Sequence, residues 1–210
     1  CSHAHRPSDR RRAGDRGAGN SPHKSVKDLA AALKADTSKV VWAGGSAGGA
    51  DHILAGLVAK AAGGDATKLN YVPFSGGGEA LAEMLGGRVT AGVSGYNEFE
   101  SMIKAGKLRA LALSSGARMA GVDVPTIQEQ GLDVELMNWR GIVAGPGISA
   151  AQKAALSAAV EKAVKSPEWA AVRKQRGWDD AYLNADAFAA TLKSEQVSVK
   201  DVLTTIGLVK

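Results

Sequence analysis

Apolar and polar positions follow two rhythms along the chain, one of strands and one of helices. Ser25-Val26-Lys27-Asp28 has the form of a capping box with Asp in place of Glu, and predicts a helix through Lys34 or Ala35. Lys39–Ala43 (KVVWA) is a short apolar run and reads as a buried strand. After the loop GGSAGGAD, residues Ile53, Leu54, Leu57, Val58 and Ala61 fall on one face of a helix that Gly63-Gly64 ends. The order then recurs. Leu69–Phe74 reads as a strand, Ser75–Gly78 as a loop, and Glu79–Leu85 as a helix closed by Gly86-Gly87. Arg88–Val93 reads as a strand, Ser94-Gly95 as a turn, and Asn97–Lys104 as a helix closed by Gly106; Leu108–Leu113 is one more strand. Three successive β–loop–α units predict an α/β domain, a parallel sheet with helices on both faces.

The rhythm changes after residue 120. Pro125 opens a short helix to Gln130, stopped by Gly131. Asp133–Met137, Gly141–Ala144 and Asp179–Leu183 read as short strands. Ser149 caps an alanine-rich helix to about Lys165, Pro167 starts another to Arg176, and a last helix runs from about Asp186 to Thr205. The expected organisation is an arm at 1–20, an α/β ligand-binding domain at 21–120 and a helix-rich segment at 121–210.

Composition narrows the function classes. Cys1 is the single cysteine in 210 residues, which excludes an internal disulfide and a Cys/His structural zinc site. No apolar run approaches the roughly 20 residues of a membrane-spanning helix. The net charge is +5, but residues 1–20 carry five arginines against two aspartates and so hold +3 of it. The body is nearly neutral and has no basic groove interleaved with aromatics, so a nucleic-acid partner is not expected. The arm, with only Cys1, Ala4, Ala13 and Ala18 in the hydrophobic class, is expected to be disordered. It has no apolar core of the kind that makes a signal peptide. Cys1, His3 and His5 could chelate a metal only with a fourth ligand that the arm does not offer.

Glycine changes the picture most: there are 26, well above the usual share of about 7%. They concentrate at Gly44–Gly49, Ser75–Gly78 and Ser94–Gly95, each after a strand and before a helix. Such junctions present unpaired amides and the positive end of a helix dipole, and together they form an anion-binding rim. The dinucleotide fingerprint fails because Ser46 or Ala47 stands at its second glycine. The P-loop fails because Ala50 and Asp51 stand where Lys and Ser/Thr are needed. Gly44-Gly45-Ser46-Ala47-Gly48 does match the G-x-S-x-G elbow of serine hydrolases. That reading, an α/β esterase using Ser46, lacks a base, because no histidine follows His52 and a hydrolase needs one late in the chain. Glu79 and Glu83, one helical turn apart, equally suit a solvated helix face.

The runs VVWAGGSAGGADHILAGLVAKAAG, LNYVPFSGGGEALAEMLGGRVTAGVSGY, IKAGKLRALALSS and DVPTIQEQGLDVELMNWRGIVAGPGIS resemble the solute receptors of tripartite tricarboxylate transporters, the Bug-type extracytoplasmic binding proteins. The resemblance runs from about Ser21 to the end. It implies a type II periplasmic-binding-protein-like flytrap that closes on a small di- or tricarboxylate and hands it to membrane permease subunits. It implies no catalysis, no cofactor and no metal, and a periplasmic location for the family. Carried onto this chain, the ligand-binding residues are Gly45, Ser46, Ala47, Gly48, Phe74, Ser75, Gly77, Gly78, Ser94 and Tyr96, with Trp139 near the hinge. Family members have a signal peptide and most of a first domain where this sequence has its arginine-rich arm. The expectation is therefore a complete second domain and a partial first one, with weak ligand binding, or a nonfunctional fragment.

Overall fold

The computed structural model describes residues 21–75 and 77–209. The arm, with Cys1, His3 and His5, lies outside the described residues, as does Gly76. Contacts divide the chain into two compact units. One runs to Met137 and takes in the segment from Lys200 onward, and the other is Asn138–Val199.

In the first unit, helix α1 (Val26–Ala35) starts at Ser25, whose side chain accepts from the Asp28 amide while Asp28 accepts from the Ser25 amide. That reciprocal pair is the capping box read from the sequence. A short 3-10 turn, Thr37–Lys39, leads to β1 (Val41–Gly44). Then come α2 (Ala50–Ala61), a second 3-10 turn at Ala66–Lys68, and β2 (Asn70–Pro73). They are followed by α3 (Gly77–Leu85), β3 (Ala91–Gly92) and α4 (Tyr96–Lys104). The strands form a parallel sheet in the order β2-β1-β3.

Register explains how both faces are covered. Trp42 sits level with Tyr71 and Ala91, and Ala43 with Val72 and Gly92. Alternate strand residues point to opposite faces. Trp42, Tyr71 and Ala91 belong to a core built with Val26, Leu29 and Leu33 of α1 and Ala55, Val58 and Ala59 of α2. Gly92 meets Met84 of α3, whose sulfur occupies the space a Cβ would need. Met84 in turn packs with Phe99 of α4 and Leu108.

Three expectations change here. Leu108–Leu113 does not extend the sheet. Leu113 instead makes an isolated parallel bridge to Thr126, with its amide on Pro125 O at 2.9 Å and its carbonyl accepting from Ile127 at 2.9 Å. Asp133–Met137 also forms no strand; Leu136 donates to Ser114 O, and Ser114 Oγ returns a bond to Leu136 O. The predicted helix before Gly131 is a single 3-10 turn, Gln128–Gln130, ended by Gly131 in the left-handed region. Thr126 and Glu129 cap each other there, and the Gln130 side chain accepts from Val26 N and donates to Leu111 O. The motif VPTIQEQG thus ties the start of α1 to the segment after α4.

In the second unit, α5 (Ala150–Val164) opens on a Ser149–Gln152 capping box, and α6 (Pro167–Arg176) on Ser166 with Pro167 in its first turn. Helix α7 (Ala185–Thr205) has residues 185–199 in this unit. Trp139 meets Phe188 edge-on at 5.4 Å, and the Arg140 guanidinium lies 5.0 Å from the Trp178 ring centre. Gly141–Ala144 and Asp179–Leu183 form no strands, since no strand among the described residues offers them a ladder; Ile142 and Val143 are 75% and 77% exposed.

Two substitutions probe this core. Leu33→Ala, at a fully buried position, is expected to cost about 2–5 kcal/mol. Gly92→Ala adds only a methyl group, yet is expected to cost about 1–3 kcal/mol because Met84 must leave its place. Urea unfolding followed by circular dichroism measures both; an unchanged midpoint for Gly92→Ala contradicts the packing described.

Candidate functional site

Because the three strands run the same way, the loops after β1, β2 and β3 leave from one edge of the sheet. Two backbone bonds fix their starts: Phe74 donates to Gly44 O and Val93 to Ala43 O, each at 2.9 Å. The ten residues carried over from the resemblance all lie on these loops or in the first turns of the helices that follow. Gly45, Ser46, Ala47 and Gly48 form the first loop. Phe74 and Ser75 begin the second, and Gly77 and Gly78 open α3. Ser94 lies in the third, and Tyr96 opens α4.

The first loop is gripped at both ends. The Gly45 amide donates to Asp51 Oδ2 at 2.8 Å, and the Gly45 carbonyl accepts from the Tyr71 hydroxyl at 2.8 Å. The Gly48 amide donates to His52 Nδ1 at 3.1 Å. The imidazole is buried and stacks on the Tyr71 ring, 4.1 Å between centres and 3° from parallel. A turn bond from Gly49 N to Ser46 O at 2.9 Å closes the loop, and Gly48 takes φ 77°, which glycine adopts without strain. A side chain at Gly44 would strike the Tyr71 hydroxyl. Between the gripped ends, the amides of the exposed Ser46 and Ala47 donate to no acceptor among the described residues.

The other loops use the same device. Ser75 N donates to Glu79 Oε2 at 3.2 Å, and the Ser94 hydroxyl donates to the Glu98 carboxylate. Each helix at this edge therefore carries an acid in its first turn, Asp51, Glu79 or Glu98, that folds back on its own loop. A carboxylate there is favoured by the helix dipole and by the bond it accepts, from an amide at Asp51 and Glu79 and from a hydroxyl at Glu98. Burial raises the Asp51 pKa above its ordinary value; the Gly45 amide opposes this and the Glu98 charge adds to it. Burial holds His52 below the usual histidine range, and burial together with Asp51 pushes the Tyr71 hydroxyl up.

The hydrolase partners expected of a Ser46 nucleophile are engaged elsewhere. Ser46 is exposed, while Asp51 and His52 are both engaged by loop amides, and no bond joins the Ser46 hydroxyl to a histidine among the described residues. Tyr71 was missed in the sequence, where it reads only as a strand aromatic. Asp51, Glu79 and Glu98 carried a readable signal, an acid recurring shortly after each glycine loop. Among the described residues no group of three metal-ligating side chains forms, and no helix is long and apolar enough to cross a membrane.

A family model described as the tripartite tricarboxylate transporter family receptor matches residues 17–208. A UPF0065 protein encoded in the TAR-I ttuE-ttuC' intergenic region of Agrobacterium vitis is 32% identical over 146 residues, 69% of this chain and 41% of that protein. Two solved structures share the fold. Rpa4515 of R. palustris, described with adipate, has a TM-score of 0.72 at 22% identity, over 89% of this chain and 62% of its own. The periplasmic binding protein BugD has a TM-score of 0.70 at 24% identity, over 91% and 64%. The fold is thus that of periplasmic binding proteins. The chain spans about half the length of the curated relatives it matches.

Asp51 generates a pH-dependent prediction. Its folded pKa lies above its unfolded value, so the native state holds the proton more tightly. Stability from this group is then fully present below the unfolded value, near pH 4, and is lost as pH rises through the folded value. Asp51→Asn removes that loss while keeping an oxygen for the Gly45 amide. Urea midpoints of the variant, relative to the parent, should rise as pH climbs above about 4 and level off once the folded-state carboxyl has ionised. A difference that falls as pH climbs contradicts the assignment.

Proposed function

The chain belongs to the tripartite tricarboxylate transporter receptor family, and from that membership we propose that it is a solute receptor for a small di- or tricarboxylate. The observation that carries the reading is the convergence of three glycine loops on one sheet edge, with the Ser46 and Ala47 amides unpaired at its first loop. Adipate, named with one structural neighbour, supports a dicarboxylate as the ligand class. The proposed site is the carried-over set of ten residues from Gly45 to Tyr96. In keeping with the family, the receptor delivers its ligand to the permease subunits of a tripartite transporter and works in the periplasm. Its family and fold are those of binding receptors rather than enzymes.

The chemistry needs little from side chains. A dicarboxylate is strongly hydrated, and its capture takes several donors that are already in place. A hydrogen bond to a charged group contributes about 1.5–3 kcal/mol, so a few together exceed the cost of association. Backbone amides held by a sheet lose almost no entropy on binding, which is why glycine loops serve better than long basic side chains.

Titrating the isotope-labelled chain with adipate, and separately with citrate, tests the reading. Amide signals of Ser46, Ala47, Ser75, Gly78, Ser94 and Tyr96 are expected to shift together, with one shared affinity. No shift at these amides up to about 10 mM, where even a binding free energy near −3 kcal/mol is visible, overturns it.

A further inference from the structure

The grip on the first loop has a consequence for the ligand site, resting on the reading above. We propose that Tyr71 and His52 are positioning residues for carboxylate recognition: they hold the loop Gly45–Gly49 from its two ends so that the Ser46 and Ala47 amides stay unpaired and preorganised, and they do so only while His52 Nδ1 carries no proton.

The argument is geometric. Gly45 is fixed through both of its peptide groups, the amide on Asp51 and the carbonyl on the Tyr71 hydroxyl. Gly48 is fixed through its amide on His52 Nδ1. A bond donated to Nδ1 requires a lone pair there, so the neutral ring carries its proton on Nε2. The ring cannot easily rotate to find another arrangement, because it lies flat against Tyr71 and is buried. Tyr71 therefore serves twice, holding Gly45 directly and Gly48 through the ring stacked on it. The grip spans two elements, β2 and α2, so the loop cannot shift without disturbing the sheet register at Trp42 and Tyr71.

Protonation of Nδ1 would place an N–H against the Gly48 N–H and cancel one end of the grip. The groups around His52 leave the site free to respond in this way. Asp51 precedes it on α2 and is engaged by Gly45; Glu98 of α4 acts on Asp51. From β2 comes the Tyr71 hydroxyl, and β1 supplies no titratable side chain. The C-terminal segment reaches the loop and α2 with Val202, Leu203, Ile206 and Leu208, all apolar, while its Lys200 and Asp201 are exposed. Helix α1 meets α2 at the far end, where Leu33 and Thr37 close on Gly64. Loss of solvent is the influence that holds the imidazole neutral.

The test uses the full chain and adipate. Without ligand, imidazole nitrogen shifts should identify the Nε2–H tautomer at pH 7.5, and the Gly48 amide should titrate with the same midpoint as the His52 ring. With adipate, amide titrations at a series of pH values should show affinity falling roughly fivefold to tenfold below that midpoint, the worth of one or two hydrogen bonds. Far-ultraviolet circular dichroism at each pH confirms that the chain stays folded. His52→Asn keeps an acceptor near the Nδ1 position and cannot titrate, so, whatever its affinity at pH 7.5, it should lose with falling pH only what protonation of adipate itself removes, and a loss equal to the parent's overturns the proposal. Tyr71→Phe keeps the stack and loses the bond to Gly45, so its affinity should drop about threefold to fivefold at every pH with the midpoint unchanged. An Nδ1–H tautomer, a Gly48 amide indifferent to His52, or adipate affinity constant through the His52 midpoint overturns the proposal. Co-titration of Gly48 and His52 in a chain that binds no dicarboxylate upholds the loop grip and defeats the receptor reading instead. If His52→Asn does not fold, the ring and amide titrations of the parent decide the matter.

Discussion

Everything at the candidate site depends on one constraint: three very short strands pair in parallel about β1. With only Val41–Gly44, Asn70–Pro73 and Ala91–Gly92 in the sheet, few ladder bonds hold it. Parallel pairs are slightly weaker per residue than antiparallel ones and need both faces covered. Here the cover comes from α1 and α2 on the Trp42 side and from Met84 on the Gly92 side. Parallel direction has a geometric result that no antiparallel arrangement gives. Every strand ends at the same edge, and α2, α3 and α4 begin there.

Three helix starts together are an electrostatic burden before they are an asset. Their unpaired amides and partial positive charges repel one another and need anions nearby. The chain supplies its own, since Asp51, Glu79 and Glu98 each turn back onto the loop that precedes them. Neither α2 nor α4 has a side-chain bond at its N-cap, where Gly49 and Gly95 stand, so these acids take over the duty a Ser or Asp cap would have had. The arrangement keeps the edge stable without a ligand while leaving some amides open.

Much of this was legible in residue order. The capping box at Ser25, the glycine stops and the β–loop–α repeat all express local rules, and the helices formed within a few residues of where the pattern put them. What escaped was non-local. LRALAL has a strand's composition, but Leu113 found Thr126 before it found the sheet. The runs around Val134 and Val143 also have strand composition, and a strand is defined by its partner, which composition does not name. Tyr71 was hidden for the same reason. Its partners, Gly45 and His52, lie 26 and 19 positions away and are brought to it by the register of β1 against β2. VPTIQEQG was read as part of a family signature, and in the fold its polar groups cap a turn and staple α1. Distinctive sequence here marks structural hydrogen bonding as readily as it marks binding.

The same hydrogen bonds bear on how the G-x-S-x-G sequence at Gly44–Gly48 is used. A nucleophilic serine needs a histidine whose nitrogen is free to accept its proton, backed by a carboxylate. In this loop the histidine nitrogen and the carboxylate oxygen are already accepting from Gly48 and Gly45. Their basicity is used on the backbone, where it sets the position of the amides between them. A site that commits its acceptors to shaping a loop has donors to offer a ligand, and donors suit a group that arrives already negative. An ester carbonyl would find those donors, but the histidine and carboxylate of this loop already accept from its backbone. A carboxylate asks for nothing more than the donors.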